Sequence, residues 1–432
     1  MAVRLSLTKE LRQALGGAGA EVVRGMQAEV SLAWRGARCG YPCRNGPSRS
    51  FTLALPSTSA PFGLTFVSDI DPRASIDILT LRHCYQSNSH SSNMKGIQLK
   101  EYVKGPEDLK VLDLPTPEPK PNEYLIAIHA SGTNFFDLLQ IRGKYQHQPP
   151  FPWVAGSEFS GVVLKAPTSL PGGKTPKFKE GDKVFGAGQG AYATHIVSTE
   201  EKLKGMPEGW SFEDAAGVFV TAPTSYAGLV VRAGIKKGDW VLVHAAAGGV
   251  GLAAVQIAKA FGATVVATAG SPHKLDVARS FGADYTVSYR DADWPEQVKK
   301  LTPKGRGVDI VYDPVGLIAQ SMKCTAWNGR LLVIGFAAGD IEKMATNRIL
   351  LKNVSVVGLH WGAYAIHEPE MQDVVWDGIF KLVKEGKYRG TAFTDQEYVG
   401  LESVPAALKA LGGRNSWGKV VVKVPQSGGS KI

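Results

Sequence analysis

The sequence predicts an α/β protein in which a small, mostly antiparallel β domain is joined to a domain with a doubly wound parallel sheet. At 432 residues the chain is too long for one ordinary core. Strand-like alternation starts at Met94, and after about Val218 short apolar strands alternate with helical segments, which is typical of βαβ units. The 49 glycines suit a fold with many tight turns.

Residues 1–93 differ in composition from the rest of the chain. They hold ten Lys/Arg against six Asp/Glu, with an amphipathic pattern over residues 5–30. An Arg-rich, acid-poor start is typical of a mitochondrial transit peptide. The alternatives are a disordered extension, or upstream sequence wrongly joined to an enzyme that starts at Met94. Cytoplasmic and mitochondrial locations therefore both remain open.

Charge and cysteine content restrict the classes of partner. The net charge of +10 is spread without a block of consecutive Lys/Arg, which argues against nucleic acid as the main partner. Of four cysteines, only Cys324 follows residue 93, so a disulfide framework is not expected. A run of 18 charge-free apolar residues is missing, so we expect no membrane span.

Residues 94–218 form the predicted β domain, which has alternating apolar and polar positions and turn signals between its strands. The predicted strands are Lys95–Val103, Tyr124–Ala130, Gly161–Leu164, Gly181–Phe185 and Gly190–Val197.

Residues 219–361 form the predicted parallel-sheet domain, and residues 362–432 are expected to return to the first domain. The predicted strands are Trp240–His244, Val265–Thr268, Asp309–Tyr312, Leu331–Ile334, Val354–Gly358, Glu397–Gly400 and Val420–Val424. The predicted helices are Val250–Phe261, Pro272–Phe281, Met371–Lys384 and Val404–Leu411.

The strongest local motif is a strand that runs into a turn of small residues and then opens a helix, over residues 238–251. Ala245, Gly248 and Gly251 have the spacing of a dinucleotide-binding turn whose first glycine is replaced by alanine. Small residues let the backbone approach a pyrophosphate, and the helix N-terminus supplies free N–H groups. The predicted cofactor contacts in this turn are Ala247, Gly248, Gly249, Val250 and Gly251.

The end of the next strand predicts which nicotinamide cofactor binds. Enzymes that prefer NAD usually place Asp or Glu there, to accept hydrogen bonds from the ribose 2′-hydroxyl. Residues 267–274 contain no acid, and Ser271 and Lys274 could donate to a 2′-phosphate. We therefore expect NADPH rather than NADH.

The stretch from Gly238 through Gln256 and Lys259 resembles the signature of the quinone oxidoreductase/ζ-crystallin family of the medium-chain dehydrogenase/reductase superfamily. Three further segments match, over residues 134–145, 152–158 and 309–316, whereas Leu317 departs from the glycine that many relatives carry. The resemblance covers Met94 to Val424. It implies a GroES-like catalytic domain with a Rossmann domain inserted, and a cofactor in the cleft between them.

The resemblance also implies a test for metal. Zinc-dependent relatives carry a cysteine where Asn134 stands and a histidine where Ser157 stands, and residues 165–180 lack the cysteine cluster of a structural zinc site. We therefore expect no zinc. Hydride transfer to a quinone, or to a C=C bond next to a carbonyl, spreads charge onto an oxygen that hydrogen-bond donors can stabilise.

The resemblance suggests roles for further residues. Tyr145 is the expected donor to the acceptor's oxygen and Asn134 is expected to orient the nicotinamide ribose or the carbonyl, while Asp137 is expected to be a structural partner. The further cofactor contacts implied by similarity are Thr224, Tyr289, Gly335, Phe336 and Lys419.

The function predicted from all of this is NADPH-dependent reduction of a quinone or enone. An enoyl-thioester reductase (2-enoyl-CoA or acyl-carrier) is the alternative, and a non-catalytic NADPH-binding or RNA-binding protein is the alternative from another class. The apolar edge strand near residues 354–361 predicts a homodimer.

Overall fold

The computed structural model describes residues 51–52, 65–66, 93–339 and 341–426. Contacts divide the chain into one unit that ends at Ser89 and another that starts at His90. In the first unit, Phe51–Thr52 pairs antiparallel with Thr65–Phe66. The predicted transit segment otherwise lies outside the described residues.

The first domain contains eleven of the described strands. They are β1 (Asn93–Gly96), β2 (Gln98–Leu99), β3 (Leu112–Pro115), β4 (Tyr124–Gly132), β5 (Trp153–Val154), β6 (Glu158–Lys165), β7 (Lys183–Ala187), β8 (His195–Ser198), β9 (Leu203–Gly205), β16 (Tyr398–Val399) and β17 (Val421–Lys423). Seven of them form one sheet with order β9-β7-β6-β4-β17-β16, in which β8 also pairs with β4. The others form two small pairs, β1 with β3 and β2 with β5.

The end of the chain closes this domain. β17 pairs antiparallel with the second half of β4, where Val422 lies opposite Ser131, and β16 pairs parallel with β17. Tyr124, Ile126 and Val422 are fully buried in one apolar core. The first domain is therefore complete only when the C-terminal strands return to it.

The second domain has a six-stranded sheet in which every pairing is parallel. Its strands are β10 (Trp240–Val243), β11 (Thr264–Ala269), β12 (Tyr285–Ser288), β13 (Val308–Asp313), β14 (Thr325–Val333) and β15 (Ser355–Gly358). Their order is β12-β11-β10-β13-β14-β15. This order places the crevice for a ligand between β10 and β13, where the strand order reverses.

Helices cover both faces of the parallel sheet, and this explains why its central strands are apolar on both sides. On one face Val241 and Val243 pack in a core shared with Trp376, and on the other face Leu242 packs with Trp294. The helices are α1 (Phe135–Gln140), α2 (Phe212–Ala216), α3 (Thr221–Tyr226), α4 (Gly249–Ala260), α5 (Pro272–Ser280), α6 (Trp294–Leu301), α7 (Ile318–Ser321), α8 (Thr346–Lys352), α9 (Trp361–His367), α10 (Glu370–Lys384) and α11 (Val404–Gly412).

The predicted two-domain α/β fold is confirmed, with local corrections. The strand predicted over Lys95–Val103 is interrupted at Ile97 and ends at Leu99, because its two parts pair with different partners, β3 and β5. The strand predicted from Gly190 begins only at His195. Further elements were not predicted from the sequence. They are the strands β3, β5, β9 and β12 and the helices α1, α2, α3, α6, α7, α8 and α9.

Candidate functional site

The turn between β10 and α4 has the geometry that its small residues predict. Ala245 adopts a left-handed backbone with φ of 46°, and α4 begins at Gly249. A Cβ on Gly251 would lie 2.3 Å from the carbonyl oxygen of Ala245, so only glycine lets the helix start this close to the strand.

A cavity of about 260 Å³ opens at the carboxyl ends of β10, β11 and β13. Its walls come from the turn, from the ends of these strands and from the stretch between α11 and β17. The lining residues are Phe135, Ala245, Ala247, Gly248, Gly249, Val250, Ala269, Gly270, Lys274, Tyr289, Pro314, Val315, Ala337, Leu411, Arg414, Ser416 and Gly418.

Six of the predicted cofactor contacts line this cavity. They are Ala247, Gly248, Gly249, Val250, Lys274 and Tyr289. Residues that the sequence did not single out as contacts come largely from distant segments, such as Phe135 of the first domain and Leu411, Arg414 and Ser416 near the chain end.

The other predicted contacts lie around the cavity rather than in its lining. Ser271 caps α5, where its hydroxyl accepts from the N–H of Lys274, and the hydroxyl of Thr224 donates to the carbonyl of Val220 at 2.6 Å. Gly251 packs α4 against β10. Gly335 and Phe336 precede Ala337, which is the residue of that loop that lines the cavity.

Two basic residues, Lys274 and Arg414, contact each other at the β11 end of the cavity. The ammonium of Lys274 donates to the carbonyl of Arg414 at 2.8 Å, and the guanidinium of Arg414 donates to the carbonyl of Ala337 at 3.0 Å. Burial, and then the charge of Arg414, lower the pKa of Lys274. The lining residues include no Asp or Glu, so this end of the cavity favours an anionic group.

Arg414 carries no sequence signal that could have identified it. It follows two glycines, Gly412 and Gly413, at the end of α11 and has a left-handed backbone, with φ of 57°. It lies more than a hundred residues beyond the dinucleotide turn, and only the return of the chain end brings it to the cofactor cavity.

A buried polar cluster lies at the start of α1. The ammonium of Lys419 is 2.6 Å from Oε2 of Glu158 and 2.6 Å from Oδ1 of Asn134, and Nδ2 of Asn134 donates to Glu158 at 3.1 Å. Lys419 was expected to bind the cofactor. In the structure its ammonium is held in this buried ion pair, with its side chain only 5% exposed.

Asp137 has several hydrogen-bond partners, as expected for a structural role. Its carboxylate accepts from the hydroxyl of Tyr192 at 2.7 Å, from the backbone N–H of Asn134 at 2.8 Å and from the hydroxyl of Ser157 at 3.1 Å. Complete burial raises its pKa to about 6, although these hydrogen bonds oppose the shift.

Tyr145 lies beside this cluster. Its ring stacks on Phe136 with centroids 5.3 Å apart. Burial, and to a lesser extent the charge of Asp137, raise the pKa of its phenol. The phenol therefore stays protonated at neutral pH and can donate a hydrogen bond.

The donor set at Asn134 and Ser157 does not fit zinc. The side chains there are an amide and a hydroxyl, and a buried ammonium already occupies the amide oxygen, so a divalent cation would meet repulsion. Across the described ranges, no three His, Cys, Asp or Glu side chains form a group that could hold a metal. Likewise, no described helix has the length and apolarity that a membrane crossing requires.

Two family models match the chain. Residues 120–224 match the alcohol dehydrogenase GroES-like domain, and residues 249–377 match the zinc-binding dehydrogenase model. The word zinc belongs to the name of the second family model. In this chain the side chains at positions 134 and 157 are an amide and a hydroxyl.

Known proteins with similar sequences and structures carry related names. The quinone oxidoreductase-like protein 2 homolog of Nematostella vectensis is 37% identical over 306 residues, which cover 70% of this chain and 81% of the relative. The Escherichia coli quinone oxidoreductase complexed with NADPH has a TM-score of 0.67 and 29% identity, covering 76% of this chain and 99% of that one. The CurK enoyl reductase has a TM-score of 0.67 and 27% identity, covering 77% and 99%.

Three observations point to the same family. They are the sequence similarity, the GroES-like first domain and the Rossmann sheet with its dinucleotide turn. The chain belongs to the quinone oxidoreductase family of the medium-chain dehydrogenase/reductase superfamily.

Proposed function

We propose that this protein is an NADPH-dependent, zinc-independent oxidoreductase that reduces a quinone or another conjugated carbonyl compound. The observation that carries the proposal is the cavity at the dinucleotide turn, which combines close backbone approach with two basic side chains and no acid in its lining. Its resemblance to the Escherichia coli quinone oxidoreductase complexed with NADPH supports the same cofactor.

The residues at the β11 end support NADPH over NADH. Lys274 and Arg414 could both donate charge-assisted hydrogen bonds to a 2′-phosphate, and Tyr289 lines the same wall. An NAD-specific site would have placed a carboxylate here, which would repel that phosphate.

Bound NADPH would supply a hydride to the acceptor, and a proton taken up from water would complete the reduction. The protein's part is to orient the acceptor and to stabilise the negative charge that develops on its oxygen. Tyr145 is the proposed donor, because its phenol keeps its proton, and Asn134 is proposed as a second donor. The amide and hydroxyl at positions 134 and 157, together with the ammonium of Lys419, support a reaction that needs no zinc.

An acceptor comparison tests the proposal. Purified protein is assayed with NADPH or NADH against a quinone, a simple enone and crotonyl-CoA. Faster NADPH oxidation with the quinone or enone is the expected result. Preference for crotonyl-CoA would favour the enoyl-thioester reductase alternative, which the likeness to CurK supports. NADPH binding without oxidation by any acceptor would contradict an enzymatic role.

We also propose a homodimer formed through the edge of the parallel sheet. β15 ends the sheet within the described residues. Helices on either side of it expose apolar side chains, with Leu350 79% and Ile366 78% exposed. Apolar surface beside an edge strand is typical of an interface. Light scattering at micromolar concentration should give twice the chain mass, and a monomer would contradict this proposal.

The location in the cell is proposed as cytoplasmic or mitochondrial, depending on residues 1–93. Fluorescent fusions of the full chain and of a chain that begins at Met94 test this choice. Mitochondrial signal from the full chain alone would support a transit peptide.

A further inference from the structure

A single buried side chain connects the cofactor turn to Asn134. The backbone N–H of Gly418 donates to the carbonyl of Ala247 in the turn at 2.7 Å, and the N–H of Lys419 donates to Thr391 at 2.8 Å. From this fixed backbone, the side chain of Lys419 runs inward until its ammonium meets Asn134 and Glu158.

The sequence leaves a narrow passage for this side chain. A Cβ on Gly217 would lie 2.8 Å from Cγ of Lys419, and a Cβ on Gly132 would lie 3.2 Å from its Cε. A Cβ on Gly249 of the cofactor turn would make an ordinary contact with the same stem, 3.7 Å from Cδ. A larger residue at Gly217 would press directly on the lysine, whereas one at Gly132 would first meet the carbonyl oxygen of Ala216, at 2.3 Å. The path of the lysine therefore depends most on Gly217.

Stability alone does not account for the buried pair. Removing an ammonium and a carboxylate from water costs about as much as their attraction returns, and apolar residues of similar size often serve a fold equally well. What the pair fixes is the orientation of an amide. Oδ1 of Asn134 accepts from Lys419 and one Nδ2 hydrogen points to Glu158, while Oε1 of Glu158 is held by the N–H of Val220 at 2.9 Å.

One hydrogen on Nδ2 of Asn134 is then left for another partner. Asn134 directly precedes Phe135, which lines the cofactor cavity. Gly418 is hydrogen-bonded to the turn, and Lys419 is hydrogen-bonded to the side-chain amide of Asn134. These two adjacent residues therefore set the position of Asn134 relative to a cofactor bound at the turn.

We propose that Lys419 is a positioning residue for hydride transfer. It holds Asn134 so that the remaining N–H can donate to the acceptor oxygen as negative charge develops there. This inference rests on the proposed function, since it assigns Lys419 a part in the reduction of a carbonyl acceptor. It also gives the lysine a role that differs from direct binding of the cofactor.

The main test removes both charges together with Lys419→Met/Glu158→Gln, which leaves no unpaired buried charge. We expect kcat with a quinone to fall about tenfold to a hundredfold, as misplacement of a reacting group does, while the NADPH dissociation constant stays within about threefold. In an Asn134→Ala background the same pair of substitutions should cost almost nothing more, because the lysine acts through that amide.

A second variant keeps both charges and displaces the stem. Gly217 has an ordinary backbone, with φ of −95°, so Gly217→Ala adds a methyl group against Cγ of Lys419 without backbone strain. It should lower kcat and spare NADPH affinity. Gly205→Ala is the matched control, since its Cβ would make only an ordinary contact at 3.6 Å, and it should behave as wild type.

The possible outcomes separate this inference from the proposed function. An active wild type with unchanged kcat in the paired variant, or with additive losses in the Asn134→Ala background, would overturn the role of Lys419 alone. A rise of about tenfold in the NADPH dissociation constant would identify the lysine as a cofactor ligand instead. If no acceptor oxidises NADPH in the presence of the wild-type protein, the proposed function is refuted, and the inference with it.

Discussion

At the scale of single residues, Tyr145 combines a raised pKa with a position beside the buried Asn134 cluster. Tyr145→Phe removes only the hydroxyl and keeps the ring stacked on Phe136. We expect kcat to fall about a hundredfold, because a hydrogen-bond donor aimed at a developing negative charge contributes that much or more. Cofactor affinity should hardly change. Steady-state kinetics and NADPH fluorescence titration measure the two effects, and unchanged turnover would remove Tyr145 from the mechanism.

We propose that Lys274 and Arg414 select NADPH over NADH. Lys274→Gln or Arg414→Gln should weaken NADPH binding about tenfold to a hundredfold, the cost of losing a charge-assisted hydrogen bond to phosphate. NADH binding should change little, since it lacks that phosphate. Lys409→Gln removes an exposed charge from the nearby helix α11 and serves as the control. Equal losses for both cofactors would contradict the assignment.

At the scale of elements, we expect two glycines of the dinucleotide turn to have different roles, one in cofactor binding and one in packing. Gly248 lines the cavity, and a Cβ there would lie 3.3 Å from the carbonyl of Ala245, whereas at Gly251 the distance would be 2.3 Å. Gly248→Ala should therefore fold but bind NADPH weakly. Gly251→Ala should force α4 away from β10 and cost about 1–3 kcal/mol of stability.

Thermal melting and NADPH titration of the two variants distinguish these effects. The expected pattern is a normal melting temperature with lost affinity for Gly248→Ala, and a lowered melting temperature for Gly251→Ala. The same result in both variants would mean that the turn works as one unit and that the two roles do not separate.

The sequence predicts those elements whose signals are local. The strand–turn–helix from Trp240 to Ala260 was predicted within about one residue at each end, because apolar periodicity and glycine spacing both lie within it. β12 was missed because its sequence is short and only partly buried. The amphipathic helix α6 was missed as well, between segments dense in polar and charged residues.

The site follows the same division between local and distant signals. The turn residues and Lys274 could be predicted, since they lie in or next to one motif. Arg414 could not, because its place depends on a contact with Ala337 that no local pattern encodes. The ion pair of Lys419 likewise joins positions 261 residues apart.

At the scale of the whole molecule, two buried groups in different domains give opposite responses to acid. His244 lies in the Rossmann domain between the hydroxyls of Thr268 and Ser321, each at 2.8 Å, and burial lowers its pKa to about 4 although Asp313 opposes the shift. Its stabilising contribution is complete above the unfolded pKa of about 6.5 and is lost as pH falls toward 4. Asp137, with its pKa raised to about 6, stabilises the folded state below its unfolded pKa and loses that contribution as pH rises through 6.

Urea unfolding at pH 7 and pH 5 tests both signs, with each variant compared with wild type so that other groups cancel. From pH 7 to pH 5, the free energy of unfolding of wild type should fall by about 2 kcal/mol relative to that of His244→Gln. The reason is that the histidine is protonated at pH 5 in the unfolded chain but stays neutral in the folded protein. Wild type should gain about 1 kcal/mol relative to Asp137→Asn, since the folded carboxyl takes up the proton first. Differences of the same sign in both comparisons would show that the two buried groups do not titrate as their surroundings dictate.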